Sequence, residues 1–97
     1  MQVRIYIKGV VTGVFFRKNA KEQADRGGLT GWIRNVYDQP DIFGASPGVE
    51  VVLQGSKEQI DTMIAWLYKG SPLSHVEKVV VEKEEERKTF DTFEIIQ

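Results

Sequence analysis

One stretch near the start of the chain combines glycine, aromatic and guanidinium groups at a spacing that could hold an anion. It runs Gly9-Val10-Val11-Thr12-Gly13-Val14-Phe15-Phe16-Arg17. Before it, Val3, Ile5 and Ile7 alternate with Arg4, Tyr6 and Lys8, the pattern of a half-buried strand. After it, residues 18–26 are polar and helix-forming. A turn that feeds a helix start offers unpaired backbone N–H groups and the positive end of the helix dipole. Glycine lets the backbone curl close to a ligand, and Arg17 adds a planar cation. The expected product is a pocket for a phosphate-sized anion, built from Thr12, Gly13, Val14, Phe15, Phe16 and Arg17. Taken alone, a glycine-punctuated turn of this kind is common and often binds nothing.

The second candidate is Asn35, at the expected end of a strand over residues 29–36. Its amide has both a donor and an acceptor and could hold a water in line with a bound phosphorus. By itself it reads as a turn residue closing a strand. His75 is the only histidine, and a lone loop histidine reads as a surface or capping group. There is no cysteine, which excludes disulfides, thiolate nucleophiles and cysteine-ligated zinc. No paired carboxylates or Ser-His-Asp arrangement accompany the candidate anion site. Metal hydrolysis, acid–base catalysis by carboxylates and phosphoenzyme chemistry lack their parts.

Phosphoryl transfer can run on so few groups because it depends on positioning and charge stabilisation. A phosphomonoester must expel an alkoxide, which needs an acid or a metal. An acyl phosphate expels a carboxylate whose conjugate acid has a pKa near ~4 and leaves unaided. Arginine plus an amide therefore suits carboxyl phosphates better than alkyl ones.

Three segments together resemble the acylphosphatase family. Residues Val11-Thr12-Gly13-Val14-Phe15-Phe16-Arg17 are similar to its first signature, Gly-x-Val-Gln-Gly-Val-x-Phe-Arg. Residues Leu29-Thr30-Gly31-Trp32-Ile33-Arg34-Asn35 are similar to the second, and Gly70-Ser71-Pro72-Leu73-Ser74-His75-Val76 to its helix-to-strand loop. They fall in the family's order and frame nearly the whole chain. The resemblance implies hydrolysis of acyl phosphates to a carboxylate and inorganic phosphate, without cofactor or metal. It assigns phosphate binding to Arg17 and the loop amides, and orientation of the water to Asn35. Inorganic phosphate is then both product and inhibitor. Two features depart from the pattern. Thr12 stands where the family has glutamine, and the connection over residues 37–48 exceeds the usual short turn.

A length of 97 residues suits a single domain spanning 1–97. Hydrophobic residues make up 41% of it and the formal net charge is -1, the balance of an ordinary globular protein with no bulk charge for nucleic acid. No apolar run reaches the ~20 residues of a membrane span. No signal peptide is visible, since the first strand is expected to begin at about Gln2. A cytoplasmic monomer acting on a small molecule is the expectation.

The elements that must position these groups follow from punctuation and period. A helix over 16–26 buries Phe16, Ala20 and Ala24 and stops at Gly27 and Gly28. Residues 37–48 contain Pro40, Gly44, Pro47 and Gly48 and are expected to form a long hairpin connection. A strand over 49–54 alternates Val49, Val51 and Leu53 with polar and apolar partners. Ser56 to Gln59 has the form of a capping box, opening a helix that carries Ile60, Met63, Ile64 and Leu67 and ends at Gly70, with Met63 and Trp66 expected in the core. Strands over 75–83 and 90–96 follow, separated by a charge run at 84–88 that reads as a solvated turn. The order is βαββαβ with an added terminal strand. The expected fold is an α+β, ferredoxin-like sandwich: an antiparallel sheet with two helices on one face. That topology brings the 9–17 loop, the end of the second strand and the 70–75 loop to one end of the sheet.

Two other readings share this topology. A non-catalytic small-anion-binding or regulatory module would keep the cradle without turnover. An RNA-recognition domain would need stacking aromatics on the middle strands and a basic face, and the third strand has no aromatic residue. Two adjacent apolar residues in the long connection, Ile42 and Phe43, either cover the site as a partial lid or pack against the protein's own surface.

Overall fold

Alternation in the first strand decides the layering. In the computed structural model, which describes residues 1–96, β1 (Gln2–Val10) turns Val3, Ile5 and Ile7 inward, where each is at most 1% exposed. Arg4, Tyr6 and Lys8 face the other way and are half-buried. After it come α1 (Phe16–Arg26), β2 (Thr30–Val36), α2 (Pro40–Phe43), β3 (Gly48–Gln54), α3 (Lys57–Lys69), β4 (His75–Glu84) and β5 (Phe93–Ile95). The sheet order is β4-β1-β3-β2-β5.

Helices α1 and α3 lie on the Ile5 face. Phe16, Ala20 and Ala24 from α1 and Ile60, Met63 and Leu67 from α3 join Ile33, Val49, Val51, Leu53 and Phe93 in one core. Small alanines on α1 let that helix approach the sheet closely. The capping box at the start of α3 is complete: Gln59 N–H donates to Ser56 Oγ at 3.1 Å, and Ser56 N–H to Gln59 Oε1 at 2.8 Å. Each satisfies a backbone donor that the first helical turn leaves unpaired. Met63 is in the core as expected, whereas Trp66 is half-buried at its margin, tilted against Phe16 with ring centroids 5.6 Å apart.

The sandwich is ferredoxin-like, with one difference in the sheet. β1, β3, β2 and β4 pair antiparallel, but β5 pairs parallel with β2, so the sheet is mixed. The cause is the route of the chain. β4 ends at the edge where β1 begins, and residues 85–92 then cross beneath the sheet to its far side. Gln54, only 7% exposed, pins this crossing. Its amide donates to Gln2 Oε1 and to the Lys88 carbonyl, and it accepts from Phe90 N–H. Entering from that end, β5 can only run alongside β2. The strand is also shorter than expected, because residues 90–92 belong to the crossing. At the head of the charge run, Glu84 is not a solvated turn residue. It ends β4 and accepts from Arg4 Nε at 2.6 Å and Gln2 Nε2 at 2.6 Å.

β3 is buried on both faces, along its whole length. On the outer face Glu50 lies between Arg4 and Arg34, and both guanidiniums sit over the Trp32 ring at 5.5 and 5.7 Å. The rest of that cover comes from the long connection. Pro40 opens a one-turn helix, and Phe43, 2% exposed, meets the Tyr6 ring edge-on at 6.0 Å. The seat for Phe43 exists because residue 48 has no side chain: a Cβ there would lie 2.0 Å from Phe43 Cδ1. Ile42 stays 44% exposed. Phe43 thus packs on the outer face of the sheet, opposite the helices, while Ile42 does not, and none of residues 38–48 lines either cleft described below.

Candidate active site

Chain direction puts three loops at one end of the sheet. β1 runs into the 11–15 loop, β2 ends near Asn35, and the connection from α3 to β4 returns beside them. Side-chain parity does the rest. Asn35 follows Ile33 by two residues, so it lies on the helix-side face, one step beyond the buried core. Arg17, in the first turn of α1, stands on the same side.

The 11–15 loop has the backbone of an anion cradle. Gly13 has φ 70°, and Phe15, the only non-glycine residue at positive φ among those described, has φ 59°. A side-chain-bearing residue in that region costs on the order of 1–3 kcal/mol, so the surrounding bonds must hold it there. They do. The Phe15 carbonyl accepts from Asn19 N–H and from Asn19 Nδ2, each at 3.0 Å. The Val14 carbonyl accepts from Ser71 Oγ at 3.1 Å. Ser71 is 4% exposed, and its own carbonyl is held by Ser74 N–H at 3.0 Å and Ser74 Oγ at 2.7 Å. With the carbonyls tied back into the protein, the N–H groups of Thr12, Gly13, Val14 and Phe15 donate to no backbone carbonyl among the described residues. They adjoin the first turn of α1, which carries no acidic residue, so unpaired donors cluster at a helix start.

Arg17 is half-buried and shared by two adjoining clefts. One, of about 320 Å³, is lined by Val11, Gly13, Phe15, Phe16, Lys18 and Ile95 besides Arg17. The other, of about 270 Å³, is formed by Arg17, Asn35, Tyr37 and Ile96. Arg17 pairs with no carboxylate among the described residues. Among the described residues its guanidinium is therefore not neutralised by a partner. Asn35 Nδ2 donates to the Tyr37 hydroxyl at 3.1 Å, while Asn35 Oδ1 is buried without a hydrogen-bond partner among the described residues. A buried unpaired acceptor is rare away from functional sites. Among the described residues no group of three or more His, Cys, Asp or Glu side chains is placed to hold a metal ion. No helix among them is long and apolar enough to cross a membrane.

Of the residues singled out from the sequence, Gly13, Phe15, Phe16 and Arg17 line one cleft and Asn35 faces Arg17 in the other, whereas Thr12 and Val14 belong to the same loop but line neither. His75 is exposed at the start of β4 and lines neither cleft. Four participants were not foreseen. Ser71 buttresses the loop, Tyr37 holds the Asn35 amide, and Ile95 and Ile96 wall the clefts. Strand parity gave a signal for Tyr37, since residues 35 and 37 of an extended chain share a face. Ser71 lay in a recognised motif but nothing local marked its role, and nothing marked the two isoleucines.

The fold is a ferredoxin-like α+β domain, with one arginine and one amide facing a shared cleft. The acylphosphatase family model matches residues 3–95. An acylphosphatase of Aeropyrum pernix is 38% identical over 95 residues, 98% of this chain and 87% of that protein. An acylphosphatase of Pyrobaculum islandicum is 40% identical over 96 residues, 99% of this chain and 94% of its own length. The crystal structure of acylphosphatase from Bacillus subtilis superposes with a TM-score of 0.85 at 27% identity, covering 99% of this chain and 98% of that one. The chain belongs to the acylphosphatase family. The resemblance carried by its three motifs is borne out, and with it the expectation of a hydrolase of this family.

Proposed function

We propose that this protein hydrolyses acyl phosphates, and that it does so with Arg17, Asn35 and the loop amides. The phosphoryl group sits in the row of N–H donors from Thr12 to Phe16, with the Arg17 guanidinium forked onto two of its oxygens. Asn35 accepts a hydrogen bond from the attacking water through Oδ1. The water oxygen forms a bond to phosphorus as the phosphorus–oxygen bond to the acyl group breaks. The acyl group departs as a carboxylate with both bonding electrons. The water's proton passes to a phosphoryl oxygen, so no side-chain base is needed in a loose transition state. Preorganised donors aimed at the developing charge supply the acceleration. The products are a carboxylate and inorganic phosphate, and phosphate re-enters the same cradle as an inhibitor.

The observation that most supports this reading is the cleft shared by Arg17 and Asn35, with an unpaired amide oxygen at Asn35. The reading takes a single chain as the catalytic unit, as the sequence expectation of a monomer does. A cytoplasmic setting goes with the reading and rests on the sequence expectation. Steady-state turnover of benzoyl phosphate tests it. The proposal expects saturable release of benzoate and phosphate, inhibited competitively by phosphate. Binding of phosphate without turnover would establish the non-catalytic anion-binding module instead.

A further inference from the structure

The free edge of β4 is complementary to itself. β4 occupies one end of the sheet, and no strand pairs with its outer side. Along that edge the sequence reads Glu77-Lys78-Val79-Val80-Val81-Glu82-Lys83. Charged residues protect an exposed edge by opposing like charges on an approaching strand. Here they do the reverse for one particular partner. When a second copy of the strand is laid antiparallel with Val80 opposite Val80, Lys78 faces Glu82 of the other copy and Glu82 faces Lys78. Val79 faces Val81, and Glu77 faces Lys83. From Glu77 to Lys83 every pair is either opposite in charge or β-branched on β-branched, the two pairings that favour neighbouring strands, and only the end pair, Val76 with Glu84, is not.

Three further observations point the same way. Val80 and Val81 are 38% and 40% exposed on this edge, so the apolar centre of the palindrome is uncovered. Neither Lys78 nor Glu82 forms an ion pair among the described residues. Within the chain Lys78 lies directly opposite Lys8, a like-charge pair that the chain's own packing does not favour. A Glu82 arriving across the edge would offset it.

We propose that this edge is a homotypic interface, through which two copies join by antiparallel β4–β4 pairing about a two-fold axis at Val80. The two sheets then form one continuous sheet, with hydrogen bonds from otherwise unpaired edge groups. The contact is isologous, closes on itself and does not propagate. Burying less than the ~1,200 Å² of a stable complex, it makes a weak dimer, populated at roughly 100 μM and dissociated near 1 μM. No residue of β4 lines the Arg17 clefts, so turnover per chain is the same in both states.

Charge reversal tests the register. Sedimentation velocity of the intact chain at ~100 μM should show dimer for the wild type and monomer for Lys78→Glu or Glu82→Lys alone, since each reversal creates two like-charge pairs in the symmetric contact. The double variant Lys78→Glu/Glu82→Lys should dimerise again, and an equimolar mixture of the two single variants should form a heterodimer. Cooperative thermal unfolding and wild-type kcat/KM should show that each variant is folded, with a midpoint slightly raised in Lys78→Glu, which faces Lys8, and slightly lowered in Glu82→Lys, which faces Arg4. A wild type that stays monomeric overturns the proposal. So does a single reversal that dimerises like the wild type, or a double variant and a mixture that both stay monomeric.

Discussion

Asn35 donates from Nδ2 to the Tyr37 hydroxyl at 3.1 Å, and its Oδ1 is left buried with no hydrogen-bond partner among the described residues. With the nitrogen engaged, the oxygen is the half left to receive the proton of an attacking water. Asn35→Ala should lower kcat by about 100-fold or more, the usual cost of a single polar group acting on the transition state, with phosphate affinity within a few-fold. Tyr37→Phe removes only the hydroxyl. It should lower kcat several-fold, less than Asn35→Ala, at nearly constant KM and thermal midpoint. Steady-state kinetics and phosphate calorimetry separate these effects. A large loss of phosphate affinity in Asn35→Ala with kcat unchanged would make Asn35 a phosphate ligand.

Phe43 is seated on the outer face of the sheet, so its contribution should be structural. Phe43→Ala should cost about 3 kcal/mol or somewhat more in stability, as truncation of a buried aromatic does. kcat/KM for benzoyl phosphate and for acetyl phosphate should both stay at wild-type values below the unfolding range. A selective rise in KM for the bulkier substrate would restore the lid reading of residues 37–48.

Glu84 supplies a pH signature. Its hydrogen bond from Arg4, above all, holds its carboxyl below the usual glutamate range. A depressed folded-state pKa stabilises above the unfolded pKa of about 4.3 and loses that stabilisation as pH falls through the folded value. Wild type should therefore unfold at higher denaturant than Glu84→Gln near neutral pH, and the difference should shrink below about pH 4. Chemical denaturation of both proteins across that range checks the sign. A gap that widens on acidification would contradict it.

A site with an arginine and an amide but no acid for the leaving group should select strongly by leaving group. Benzoyl phosphate should be hydrolysed far faster than p-nitrophenyl phosphate, and EDTA should leave the rate unchanged. Equal rates on both compounds, or restoration of activity by magnesium, would indicate a different chemistry.

Much of this was legible locally. Val3, Ile5 and Ile7 announce a one-sided strand, and Ser56 with Gln59 marks a helix start without tertiary help. Arg17 and Asn35 could be brought together because topology and strand parity suffice to place them. What escaped was set by long-range routing. The parallel pairing of β5 depends on where residues 85–92 cross, and that depends on Gln54 meeting Gln2, Lys88 and Phe90. No window of sequence contains those partners. Glu84 looked like part of a solvated run because its partner, Arg4, lies 80 residues away. The short α2 escaped because its one turn is stabilised by the seat that Gly48 leaves for Phe43, a contact across the connection and not a helical pattern. Ser71 was visible as part of a motif, but its bond to the Val14 carbonyl is a property of the folded loop.

The central claim is that Arg17 stabilises the charge on the transferred phosphoryl group. It is tested most directly by kcat/KM for benzoyl phosphate in Arg17→Ala, with the thermal midpoint measured on the same preparation. Loss of the main cationic donor should lower kcat/KM by about 100-fold or more and weaken inhibition by phosphate, at an unchanged midpoint. An Arg17→Ala protein that is folded and keeps wild-type kcat/KM would contradict the account.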